Sequence, residues 1–213
     1  MTASAVAAGV GLASIPAQAD AAAGGQAVSL GVSGTTTVEF RGRVTQSGDS
    51  GESFTSYGYL VRASNADDSG LFASPSHSET TALLTAYATG DLQARVTDMS
   101  VHSLDIVGTM TIYQRSQPGA SFGDPSSFQV GTPVASYDMT LQDVLTVFAP
   151  AQGLPTLTGD MLQTAAATLS GPLAGQKFGR QGARLRFFAT GLGALTSPAP
   201  NSQLEIAGNW SIE

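Results

Sequence analysis

The chain has 213 residues, of which 42% are hydrophobic and 12% charged, with 25 glycines and no cysteine; about 25% charge is usual for a globular domain. That composition excludes a coiled coil, a charge-rich disordered chain, disulfide stapling, thiolate catalysis and cysteine-bound zinc. Nine Lys and Arg against 16 Asp and Glu give a net charge of −7, which repels phosphate and argues against nucleic acid as a partner.

Residues 1–19 read MTASAVAAGVGLASIPAQA, small and apolar without a charge. They end in Ala17-Gln18-Ala19, the small-x-small pattern cut by signal peptidase, with Pro16 just before it. The segment is read as the back half of a secretory signal cleaved between Ala19 and Asp20, which places the protein outside the cytoplasm. The basic front of such a signal is missing, so a true start upstream of Met1 stays open. An Ala-rich leader is the other reading. Residues 20–27 (DAAAGGQA) form a flexible linker. Residues 28–213 are taken as one domain. No apolar run reaches the ~20 residues of a spanning helix, so no stable membrane span is expected after cleavage.

From here the chain alternates with period two, as a strand with one buried face does. Val38, Phe40 and Val44 oppose Thr37, Glu39, Arg41 and Arg43. Gly48-Asp49-Ser50-Gly51 follows. It resembles the Gly-Asp-Ser-Gly around the nucleophile of trypsin-like serine proteases, over four residues only. That family runs His, Asp, Ser, whereas Ser50 precedes both His77 and His102, so a hairpin turn is expected instead. A strand is expected at 54–62. Asn65, Asp67, Ser69 and Gly70 then match part of a calcium loop, but position 12 is Ser76 rather than Glu, and a solvated turn is the plainer reading. His77 lies in a polar loop and is read as exposed and inert.

Strands are expected at 80–90 and 92–100, with a turn at Gly90-Asp91. In 102–114, Leu104, Ile106, Met110 and Ile112 share a face, and His102 stands at the end of that run. A histidine there fits a general base or ligand contact in a barrel mouth, or a solvated strand end. Phe122, Phe128 and Phe148 are read as core or as a dimer contact, and the oligomeric state stays open.

Segment 135–147 places Tyr137, Met139, Leu141, Leu145 and Val147 on one face, and Asp143 falls among them. A carboxylate on an apolar face costs several kcal/mol unless partnered, and its pKa shifts, which makes Asp143 the main site candidate. A bulge turning it outward, or a structural arginine pair, are the alternatives. A turn is read at Gly153. Gln163 stands similarly among Met161, Ala165 and Ala167 on a strand at 156–169. Leu185, Phe187 and Ala189 alternate next, followed by Leu204, Ile206, Gly208, Trp210 and Ile212.

Eight or nine long strands with short turns predict an all-β antiparallel barrel, with a β-sandwich as the alternative. A transmembrane barrel would face apolar residues outward between aromatic girdles, and the aromatics here are 7% and scattered. No Walker loop, dinucleotide fingerprint, HExxH motif or nucleophile elbow is present, so no cofactor or metal is expected. Asp143 and His102 are the candidate acid–base pair. Gln163, Tyr137 and Met110 are candidate ligand contacts. Three functions remain: a secreted barrel binding a small or apolar molecule in its lumen, a cofactor-free barrel enzyme of cyclase or isomerase type, or an extracellular module with a packed core.

Overall fold

The computed structural model describes residues 29–30, 36–196 and 201–212. The leader and linker read at 1–27 lie outside the described residues. Ten strands run in chain order: β1 (Ser29–Leu30), β2 (Thr36–Ser47), β3 (Ser53–Ala63), β4 (Leu84–Asp98), β5 (Val101–Gln114), β6 (Thr132–Ala149), β7 (Gln152–Ala166), β8 (Lys177–Phe178), β9 (Arg184–Leu195) and β10 (Ser202–Ile212). Eight of them, all but β1 and β8, form a closed barrel. Every barrel pair is antiparallel, and each strand lies beside the next in the chain. The seam is closed by β10 pairing with both β9 and β2. The expected barrel is therefore the fold, as an up-and-down meander. Strands β1 and β8 add a two-residue parallel ladder outside it.

The alternation read from the sequence sets the inside and outside of this wall. Val38, Phe40 and Val44 are buried, while Arg41 is exposed between them. On β10, Leu204, Ile206 and Trp210 are buried and Glu205 and Ala207 exposed. Burying one such face against the opposite wall is what makes the closed sheet favourable, at roughly 1.5–3 kcal/mol per large apolar side chain. It also leaves charge outside, where Arg43 meets Glu205 across the seam at 2.9 Å and Arg186 meets Asp160 at 2.6 Å.

Two expected turns are strand interior. Residues 84–98 are one strand, and Gly90-Asp91 lies within it, with a register shift between Leu92 and Ala94. Gly90 faces Gly108 across the β4–β5 ladder. A Cβ on Gly108 would stand 2.1 Å from Thr89 O, so glycine here marks two backbones in close approach at a bend of the wall. Gly153 likewise belongs to β7, and the reversal falls one step earlier, where Ala151 takes φ of 59°.

A meander puts alternate connections at opposite ends. At one end, β2–β3, β4–β5, β6–β7 and β9–β10 are joined within a few residues. At the other, 64–83, 115–131 and 167–183 are long. These long segments carry a short helix α1 (Asp68–Leu71) and two 3-10 turns, Pro125–Gln129 and Gly171–Leu173. Segments 64–83 and 167–183 close that end, sending Leu71, Phe72, Leu169, Leu173 and Phe178 into the core. Trp210, Tyr137, Leu60, Leu84, Ile112 and Met161 are fully buried behind them.

Segment 115–131 also folds over the outer face of β3 and β4. Phe128 and half-buried Phe122 pack there on Tyr57, with ring centroids 5.4 and 6.1 Å away. Arg115 organises the loop, donating to the carbonyls of Gln117 (3.1 Å), Ser127 and Val130 (3.3 Å). Phe148 is remote from this cluster and 52% exposed, so the three phenylalanines form no common patch.

Candidate ligand site

The end with tight turns is not filled. A cavity of about 270 Å³ opens there, walled by Phe40, Val44, Leu104, Leu141, Phe187 and Leu204 among others. That volume is near the lower bound of the ~300–1,000 Å³ usual for small-molecule pockets. Its inner wall is apolar because it is the continuation of the alternating face. Trp210 forms part of its floor, tilted on Phe40 at 5.5 Å, and its indole N–H is buried without a hydrogen-bond partner among the described residues.

Asp143 stands in this wall, 4% exposed. β6 continues through it without a register shift between Tyr137 and Val147, so its parity keeps it inward and no bulge turns it out. No arginine pairs with it. One carboxylate oxygen accepts the backbone N–H of Thr156 at 3.1 Å, and this is the one hydrogen bond it has among the described residues. The local reason is Pro155, which supplies no N–H, so the β7–β9 ladder is interrupted between Gly153 and Thr156 while its register is kept. Burial raises the Asp143 carboxyl to about 6 against the pull of the Thr156 N–H. A group with that value holds or releases a proton near neutral pH.

His102 lines the same cavity. In the β5–β6 ladder Leu104 faces Asp143 and His102 faces Leu145, which makes His102 and Asp143 diagonal neighbours on one face, roughly 7 Å apart by sheet geometry. Its Nδ1 lies 3.0 Å from Thr97 Oγ1. Met110 lines the cavity as well. Tyr137 and Gln163 do not. Tyr137 is deep in the closed end, where burial pushes its phenol far above the usual range. The Gln163 amide is fully used by the closing loop: its Nε2 donates to Phe178 O (2.7 Å) and Ala165 O (3.0 Å), and its Oε1 accepts from Arg180 N (2.9 Å). That accounts for a buried amide on an apolar face without a ligand.

Three polar residues at the mouth were not anticipated. Gln46 donates to Gly51 O at 2.6 Å and accepts from Ser202 Oγ at 3.0 Å, bracing the β10–β2–β3 corner. Arg95 reaches Gly51 O at 3.4 Å and lines the cavity. It faces Leu104, which faces Asp143, so Arg95 and Asp143 lie two strand spacings apart, roughly 10 Å. Gln46 and Ser202 continue the inward parity of their strands and were legible. Arg95 follows the register shift in β4, which reverses the parity and hides it.

The other motifs resolve as structure. Ser50 is in the β2–β3 turn, its N–H bound by the Glu52 carboxylate at 2.8 Å, which holds that carboxyl below its ordinary value. The stretch from Asn65 to Gly70 runs into α1. Exposed His77 stacks on Phe72 at 4.2 Å and lies 3.4 Å from Asp68. No three His, Asp or Glu side chains gather as a metal site among the described residues, and none of their helices is long and apolar enough to cross a membrane.

Fold and site together define an eight-stranded meander barrel whose lumen is apolar, open at one end and marked by one buried carboxyl. Comparison with known proteins finds no family model, no curated protein and no solved structure that matches the chain.

Proposed function

We propose that this protein is an exported barrel that takes one small, mainly apolar molecule into its lumen, with Asp143 holding the single polar group of that molecule. The observation that carries this reading is the cavity itself. An unfilled apolar lumen gives up packing that the other end of the same barrel retains, and it surrounds a carboxyl with one oxygen free of hydrogen-bond partners among the described residues. The size limits the guest to roughly the bulk of a small ring system or short chain. Export rests on the leader-like residues 1–19.

Trp210 is the one tryptophan in the chain and lies on the cavity floor, so its fluorescence reports occupancy. Titration with a naphthalene-type apolar probe is expected to saturate at one per chain. Ser56→Phe, which projects a ring into the lumen, is expected to abolish the signal while the circular dichroism spectrum stays the same. Probe binding that survives Ser56→Phe places the probe elsewhere and removes the reading.

A second reading rests on the pairing of Asp143, near 6, with His102 on the same face. Two such groups over an apolar pocket suit proton transfer within a substrate, as in an isomerisation or cyclisation that needs no cofactor. A guest recovered unchanged in mass but altered in chromatographic retention favours the enzyme. A guest recovered unaltered by both criteria favours the carrier.

A further inference from the structure

The mouth of the lumen differs from the loops of the closed end in a way that ligand binding alone does not require, although the outer wall also exposes Val107, Leu162 and Phe188. Exposed large apolar side chains gather there: Met99 and Val101 at the β4–β5 tip, Phe148 and Leu154 at the β6–β7 tip, and Leu192 and Leu195 at the end of β9. Among the described residues, the long loops of the closed end carry one such side chain, Val130. Met99 is 93% exposed and takes φ of 53° in a two-residue turn, a conformation for which Asn or Gly is the ordinary choice.

Charge is sparse on the β6–β7 and β9 flank of the mouth. Residues 144–159 and 187–204 contain no Asp, Glu, Lys or Arg. Charged groups near the mouth stand mainly around the β2–β3 and β4–β5 tips, as Asp49, Glu52, Asp91, Arg95 and Asp98, the last beside Met99, while Glu205 on β10 faces Leu192 and is paired with Arg43.

We infer that the mouth docks on the surface of a neutral, zwitterionic lipid bilayer, from which the guest enters the lumen without crossing water. This rests on the ligand-binding reading above. Three features favour a bilayer as occupant. The apolar side chains stand on separate turn tips rather than on one flat patch, which suits a fluid surface that closes around each of them. The β6–β7 and β9 tips offer no charge to pair with a charged partner, and the net −7 of the chain opposes an anionic one. The cavity opens within this rim, so an apolar guest passes from acyl chains to an apolar wall.

The test is co-sedimentation of the full chain with phosphatidylcholine vesicles. Wild-type protein is expected to partition onto them, with less than about two-fold change between low and high salt because few charges take part. The double variant Phe148→Ser/Leu154→Ser is expected to lose at least about ten-fold in partition coefficient. Val130→Ser, at the closed end, is expected to match wild type. These side chains are exposed, so folding is expected to be unaffected, and circular dichroism checks it. Partitioning unchanged in the double variant, or a preference for anionic vesicles, overturns the inference. So does a concentration-dependent dimer in sedimentation velocity that the same double variant abolishes, since the rim is then a contact between copies. Ser56→Phe separates the two readings: it is expected to keep vesicle binding while losing the luminal probe. Probe binding without vesicle binding sinks the docking inference and leaves the ligand reading standing.

Discussion

Replacing Asp143 by Asn is expected to stabilise the barrel at alkaline pH and not at acid pH. The carboxyl rises from 3.8 to about 6 on folding because the lumen wall strips it of water. The folded chain therefore holds this proton more tightly than the unfolded chain does. The stability contributed by this group is greatest below about pH 4, falls as pH rises from about 4 to about 6, and levels off above that. A displacement of about two powers of ten, at 1.36 kcal/mol each, sets the full cost of the ionised form at about 3 kcal/mol. Asparagine removes that cost, and its carbonyl oxygen still accepts the Thr156 N–H. Its amide brings donors that the wall does not serve, which costs about 1 kcal/mol. The expected net gain is about 2 kcal/mol at pH 8. At pH 4 the wild-type penalty is only about 0.5 kcal/mol, so the variant is expected to be no more stable than wild type. Urea unfolding at the two pH values, followed by Trp210 fluorescence and far-ultraviolet circular dichroism, measures both numbers. A difference that is the same at pH 4 and pH 8, or a variant less stable at pH 8, would falsify the assignment of Asp143 as a carboxyl desolvated by the lumen.

Binding of a neutral luminal probe is expected to weaken as pH rises through about 6 and to become independent of pH in Asp143→Asn, because a second desolvation of an ionised carboxylate is unfavourable; fluorescence titrations at pH 5 and 8 test this. Gly208→Ala places a Cβ 2.1 Å from Phe188 O across the β9–β10 ladder, and is expected to cost at least about 2 kcal/mol, as read by thermal melting. Arg115→Ala strips three loop carbonyls of a buried donor and is expected to cost about 2–3 kcal/mol, with protease nicking appearing within 115–131. A variant of either kind that melts with wild type contradicts the role given to that residue.

The barrel wall was legible because burial on one face leaves a period of two, and a closed sheet repeats that rule in every strand. The inward position of Asp143 and the lumen position of His102 followed from parity alone, since no register shift lies between them and their neighbours. Gly90 was misleading because glycine serves both tight turns and close backbone approach, and one sequence does not say which. Gln163 stands out on the same grounds as Asp143, but two of its three partners come from residues 178 and 180, far along the chain, and no local pattern announces them. Arg95 was hidden by the shift between Leu92 and Ala94. Which inward side chains meet the filled end, as Tyr137 does, and which meet the cavity, as its cross-strand partner Met110 does, depends on how the long loops fold back, and alternation carries no record of that.

The seam between β2 and β10 bears on how the chain is made. Arg43 and Glu205, which face each other across it, are 162 residues apart. At roughly 5–20 residues per second a ribosome needs about 8–30 s to pass from one to the other. Throughout that interval β2 has a raw edge, as does whichever strand emerged last, and each is a template for pairing with another nascent chain. A seven-stranded intermediate has no smaller barrel to fall back on. Export before folding would postpone the whole meander until β10 is present, and truncations that end before residue 202 should yield aggregates rather than a reduced barrel.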